Sequence, residues 1–134
     1  MKTIAIAAIL LAATAMAPAP PQPRAVMIGL DGPDADACHA IGEVSGLNRR
    51  GDNYLSVRAA PTARARELAR LGPGRRVHLC DATDDGRWAG IVYGRDARQD
   101  CGISSPVSRP QPYQAAWACR SGWVAARYIT TIAG

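Results

Sequence analysis

Four cysteines and two histidines are the residues of this chain best equipped for chemistry. Cys38 is followed directly by His39, and His78 stands two before Cys80, while Cys101 and Cys119 lie apart from any histidine. Two thiolates and two imidazoles make a tetrahedral donor set for Zn²⁺. His78 and Cys80 would project from one face of an extended segment, so Cys38, His39, His78 and Cys80 form a candidate metal set. Their spacing is not that of a standard zinc finger or ribbon. A Cys–His nucleophile would need a base within reach of the thiolate, and Cys38 and His39, as strand neighbours, point to opposite faces. An even count of cysteines in a short exported domain reads instead as a disulfide framework with three possible connectivities. The pairing preferred here is Cys38–Cys80 with Cys101–Cys119, the second closing a Pro-rich stretch that has few other means of holding itself in place.

Other catalytic groups are sparse. Glu43 and Glu67 are the only Glu residues, nothing pairs either with a second carboxylate, and Asp84-Asp85 reads as a solvated turn. No enzyme activity and no cofactor are expected. Binding is better supplied. Phe is absent, and three Trp and four Tyr carry all the rings. Tyr54, Trp88, Tyr93, Tyr113 and Trp117 are the candidates for a ligand face, and Trp123 reads as core. Aromatic faces suit extended Pro-rich or glycan-peptide ligands.

The elements that must position these residues begin after a distinct front end. Lys2 precedes an apolar run, Thr3 to Ala13, and small residues follow at 13, 15 and 17. This is the layout of a secretory signal peptide over residues 1–17, cut after 15 or 17. The run is shorter than the roughly 20 apolar residues that span a bilayer, so no membrane span is expected after cleavage. Residues 18–36 mix Pro, Gly and Asp without a period and are expected to be a poorly ordered tether. Its Pro20-Pro21-Gln22-Pro23 run could also occupy an aromatic groove of the same molecule. Residues 37–134 then form one domain, free in the periplasm or secreted, and expected to be a monomer.

Lys2 is the only Lys, so 15 Arg against 11 acidic residues leave a mature net charge near +4. Such a mild, scattered excess reads as a solvated basic face, with some attraction to anionic wall polymers. An exported protein meets little nucleic acid, and none is expected as a partner.

Within the domain, short alternating segments are punctuated by turns. Tyr54 to Arg58 places Leu55 and Val57 inward, and Arg75 to Cys80 does the same with Val77 and Leu79. Trp88 to Tyr93 is a third strand, and Gly122-Trp123-Val124 and Tyr128-Ile129 close the set. Arg64 to Leu71 could be a helical turn or two, with Leu68 and Leu71 on one side. Asp81 to Gly86 is a hairpin loop.

The ordered series Gly51-Asp52-Asn53-Tyr54-Leu55-Ser56-Val57-Arg58, Pro61, Leu71, Gly74, Val77, Gly86-x-Trp88, Gly122-Trp123-Val124 and Tyr128-Ile129 resembles the bacterial SH3 (SH3b) family over about residues 51–129. Two departures stand out. The usual small-Gly-Pro after the Arg is Ala59-Ala60-Pro61 here, and Gly94 to Arg120 far exceeds the usual loop. That long stretch is similar to the cysteine-bearing insertion of an exported proteobacterial SH3-like subgroup. The resemblance implies an all-β, SH3-like barrel with an added N-terminal strand near Cys38–Leu47 and a disulfide-closed insertion. It also implies a non-catalytic module binding a peptide or peptidoglycan component of the cell envelope. The alternative is a structural or inhibitory protein that docks on another exported protein through its 101–119 loop.

Overall fold

A computed structural model describes all 134 residues, and its regular structure is all β. Nine strands follow in order: β1 (Met27–Ile28), β2 (Ala40–Val44), β3 (Leu55–Arg58), β4 (Glu67–Leu71), β5 (Arg76–Ala82), β6 (Trp88–Tyr93), β7 (Gln111–Pro112), β8 (Arg120–Ala125) and β9 (Ile129–Ala133). A single 3-10 turn, Ala126–Tyr128, joins β8 to β9. Seven strands form one antiparallel sheet in the order β4-β3-β8-β6-β5-β2-β9, and β1 pairs separately with β7. The strand expected near Cys38–Leu47 is β2, which lies between β5 and β9.

The expected closed barrel is not formed. β4 and β9 remain the two edges of the large sheet. Register shifts at Ile41/Gly42, Val57/Arg58 and Leu79/Asp81 mark irregularities of the kind that bend and coil a sheet. Val44, Leu55, Val57, Leu71, Val77, Ile91, Tyr93 and Val124 form one core cluster. β3 shows how the sequence builds it, since Leu55 and Val57 are buried while Ser56 and Arg58 are only partly so.

β6 and β8 are buried on both sides. Ile91 and Val124 belong to the core cluster just described, whereas Val92 and Trp123 belong to a second one with Val26, Ile28, Ala37, Ile103, Tyr113 and all four half-cystines. Two segments make this outer layer. The Arg24–Cys38 stretch and the long insertion bond to each other through the β1–β7 ladder and through Tyr113 N–H to Val26 O, Ala37 N–H to Ser105 O and Cys38 N–H to Ile103 O. Gly29 is required at their contact: its φ is +78°, and a Cβ there would lie 2.4 Å from a Val107 methyl.

The region expected as a tether therefore divides. Residues up to Pro20 are exposed and carry no secondary structure. From Arg24 the chain is part of the fold, because Val26 and Ile28 are each 1% exposed. Burying two aliphatic side chains at about 1.5–3 kcal/mol each favours order over a loose tether. Met27 N–H also donates to the Asp81 carboxylate at 3.0 Å. The Pro20–Pro23 run lines neither of the aromatic clefts described below.

The Arg64–Leu71 segment is likewise not helical. Its second half is β4, held against β3 with Leu55 opposite Leu71, Ser56 opposite Arg70 and Val57 opposite Ala69. Leu71 turns into the core and Leu68 stays exposed.

Both disulfides have the preferred connectivity, Cys38–Cys80 and Cys101–Cys119, and no cysteine is free. The sulfurs of the candidate zinc set are thus bonded to each other. His39 instead places Nδ1 2.6 Å from the Asp31 carboxylate at the surface. His78 sits partly buried on β5, and burial pushes its pKa below the ordinary 6.5, with a smaller opposing pull from Asp100. The unfolded chain consequently binds the extra proton more readily. The stability associated with neutral His78 is complete above pH 6.5 and is lost as pH falls from there toward the folded pKa. Urea midpoints measured between pH 7.5 and pH 5 should decline, and His78→Gln should flatten that decline. An unchanged slope in the variant would assign the pH dependence to other groups.

Candidate binding groove

Tyr54, just before β3, and Ser56 and Arg58 within it lie on the face opposite Leu55 and Val57, as alternation along an extended segment requires. β4 brings Glu67 and Arg70 alongside them. The Arg70 guanidinium lies 4.3 Å from the Tyr54 ring centroid, and its Nε–H donates to Glu67 at 2.7 Å. The Ser56 hydroxyl donates to the other Glu67 oxygen. These two hydrogen bonds, Ser56 first and Arg70 second, hold the Glu67 carboxyl below the usual range and keep it ionised.

Trp88 forms the far wall. It begins β6 opposite Ala125 of β8, and its N–H donates to the Thr83 hydroxyl at 3.1 Å. Its position depends on the hairpin before it, where Gly86 has φ +69° and its N–H returns to Thr83 O at 2.9 Å. The Thr83 hydroxyl and the Arg87 N–H both donate to Asp85, lowering that carboxyl's pKa. Tyr128, in the 3-10 turn, completes the wall, with the Arg127 guanidinium 4.8 Å from its ring centroid.

Tyr54, Trp88 and Tyr128 line one cleft of about 410 Å³ together with Arg58, Glu67 and Arg127. A second cleft of about 550 Å³ adjoins it, sharing Ala63, Trp88, Ala125 and Arg127. The result is a surface trough with three rings and both signs of charge. It can hold an extended polar chain by stacking and by charge-assisted hydrogen bonds.

The structure brings together two of the five proposed ligand-face residues, Tyr54 and Trp88. Tyr93 and Tyr113 do not belong to an exposed face, being 6% and 5% exposed. Tyr93 alternates into the main core beside Ile91. Tyr113 anchors the insertion: its hydroxyl donates to Cys101 O at 3.1 Å and receives the Cys119 N–H at 3.3 Å. One ring thereby spans the ends of the disulfide loop. Trp117 is 41% exposed and packs edge-on against Tyr113, 4.9 Å between centroids, outside the groove. Tyr128, read only as part of the closing Tyr128-Ile129 strand, was not among the proposed ligand-face residues, yet it lines this cleft. Its position next to Arg127 at a strand end was the available signal.

Comparison with known proteins finds no match to a family model, a curated protein or a solved structure.

Proposed function

We propose that this protein is an exported, non-catalytic binding module that holds an extended peptide, such as the peptide part of the cell wall, in the Tyr54–Trp88–Tyr128 trough. The observation carrying this reading is the convergence of three rings and paired charges on one continuous groove. Rings at such sites supply contact area at little conformational cost, and ionised groups between them fix direction. The SH3b resemblance supports it, since Tyr54 and Trp88 belong to the matching segments. Two observations support export. The apolar run at Ile4, Ile6, Ile9, Leu10 and Leu11 is left uncovered by the domain, and two disulfides lie in its outer core. No helix is long and apolar enough to cross a membrane.

The test is co-sedimentation of the oxidised protein with purified peptidoglycan sacculi at low and high salt. Pelleting should persist at high salt and should weaken about tenfold in Tyr54→Ala, the size expected for losing one well-placed ring contact. Near-UV circular dichroism would confirm that the variant is folded. Trp88→Ala should act in the same direction, with some loss of stability because Trp88 also packs on the outer core. Pelleting abolished by salt would reduce the interaction to charge attraction. Absence of pelleting would shift the reading to a protein partner docked on the insertion, where Trp117 is the exposed ring.

A further inference from the structure

A different part of the molecule gathers positive charge without an acidic partner. A cleft of about 420 Å³ lies between β4 and the insertion, and Arg75, Arg95 and Arg120 line it with Gln99 and Tyr93. No Asp or Glu is among its lining residues, and none of these three arginines belongs to a salt bridge. Arg70 also borders the cleft, but it is engaged with Glu67 and Tyr54 on the groove side.

The backbone sets up this arrangement. Tyr93 and Arg120 are register partners on β6 and β8, so their side chains leave the sheet on the same face. Arg75 precedes β5 and is tethered by its guanidinium to Gly94 O. Its Nε–H is buried and has no hydrogen-bond acceptor. An orphaned charged donor is costly in a buried position, and three guanidiniums sharing a cleft repel one another. Both costs fall when an acceptor-rich anion enters. Burial raises the Tyr93 pKa, although Arg120 and Arg75 oppose the shift. Its hydroxyl therefore stays protonated and able to donate. The neighbouring 260 Å³ cleft shares Tyr93, Cys119 and Arg120, leaving room for the remainder of a small ligand.

We propose that this cleft is an oxyanion-binding site, in which Arg75, Arg120 and Tyr93 receive a carboxylate or phosphate group of a small anionic ligand. The site is separate from the aromatic trough. Guanidinium groups match both anions through paired N–H donors, and the two sources are distinguished by the probe.

Isothermal titration of the disulfide-bonded protein would use N-acetyl-alanyl-alanine, the same peptide as its amide, and glycerol 3-phosphate, all at matched ionic strength. At least one anionic probe should bind saturably, while the amide should not. Arg120→Gln, an exposed substitution, should weaken binding about tenfold; Arg75→Gln should do so at least equally. Arg49→Gln, outside the residues lining the cleft, should leave the affinity unchanged. Selective binding of the peptide would identify a chain-terminal carboxylate, and selective binding of glycerol phosphate a phosphate ester. No saturable binding, equal binding of the amide, or an equal loss in Arg49→Gln would overturn the proposal.

Discussion

Replacing Cys38 and Cys80 together by Ala should lower the free energy of unfolding by about 4 kcal/mol. The bond closes a loop of 42 residues in sequence separation, and the chain-entropy account assigns roughly that value to a loop of this length. A domain of this size has only about 5–15 kcal/mol to lose. Position adds to the effect, because Cys38 stands just before β2 and Cys80 lies in β5, its ladder partner. Ala is the informative replacement, since Ser would put a hydroxyl into a site where both half-cystines are under 8% exposed. The corresponding Cys101/Cys119 variant, with a separation of 18, should lose about 3 kcal/mol. Equilibrium urea unfolding measures both. A Cys38/Cys80 variant within about 1 kcal/mol of the parent would show that the β2–β5 ladder holds this end without the bond.

Trp123→Ala should cost a comparable amount, about 3–5 kcal/mol by the measure of large-to-small core substitutions. Trp123 is 0% exposed. Its indole N–H donates to Arg24 O at 2.9 Å, and the Arg24 guanidinium lies 4.7 Å from the ring centroid. The neighbouring Gly90 lets the two layers approach closely, as a Cβ there would sit 2.7 Å from Asp81 Cβ and 3.1 Å from a Val26 methyl. Truncating the ring opens a cavity and unseats residues 24–28. Trypsin should then cleave after Arg24 faster than in the parent. Trp123→Phe should retain much of the packing while losing the hydrogen bond, and should fall between the two. Full retention of both stability and protection in Trp123→Ala would move the hold on residues 24–28 to the β1–β7 ladder.

The strands that carry their own alternation could be read directly from the residues. Leu55 and Val57 turned inward as expected, and Tyr54 turned outward to the groove. Trp88–Tyr93 is β6 at both bounds. The disulfide pairing was legible because Cys101 and Cys119 bracket a Pro-rich stretch that needs closing, which leaves Cys38 for Cys80. β4 was hidden because its inward positions include the small Ala69, so Leu68 and Leu71 imitated a helical stripe. Only the partner strand reveals the true period, through the Leu55–Leu71 and Val57–Ala69 pairs. Residues 24–36, expected as tether, were misread for a similar reason. Their Pro and Gly content forbids a regular pattern, yet Val26 and Ile28 find cover from Tyr113 and Trp123 far along the chain. Tyr93 and Tyr113 were assigned by ring chemistry alone. Burial depends on which face of the sheet is covered, and here both faces of β6 and β8 are.

The pairing of Arg24 with Trp123 spans 99 positions, and this sets a schedule for folding. Ribosomes deliver a chain from its N-terminus, so Val26 and Ile28 emerge first and their cover emerges nearly last. β3 and β4 can associate early as neighbours in sequence, but the outer layer has to wait until β8 arrives. Closure between such distant segments is slow, and exposed apolar surface during the wait invites misassembly. Cys38 and Cys80 become available well before that point. Their early bonding would hold the front of the chain beside β5 and shorten the search that Trp123 must later complete.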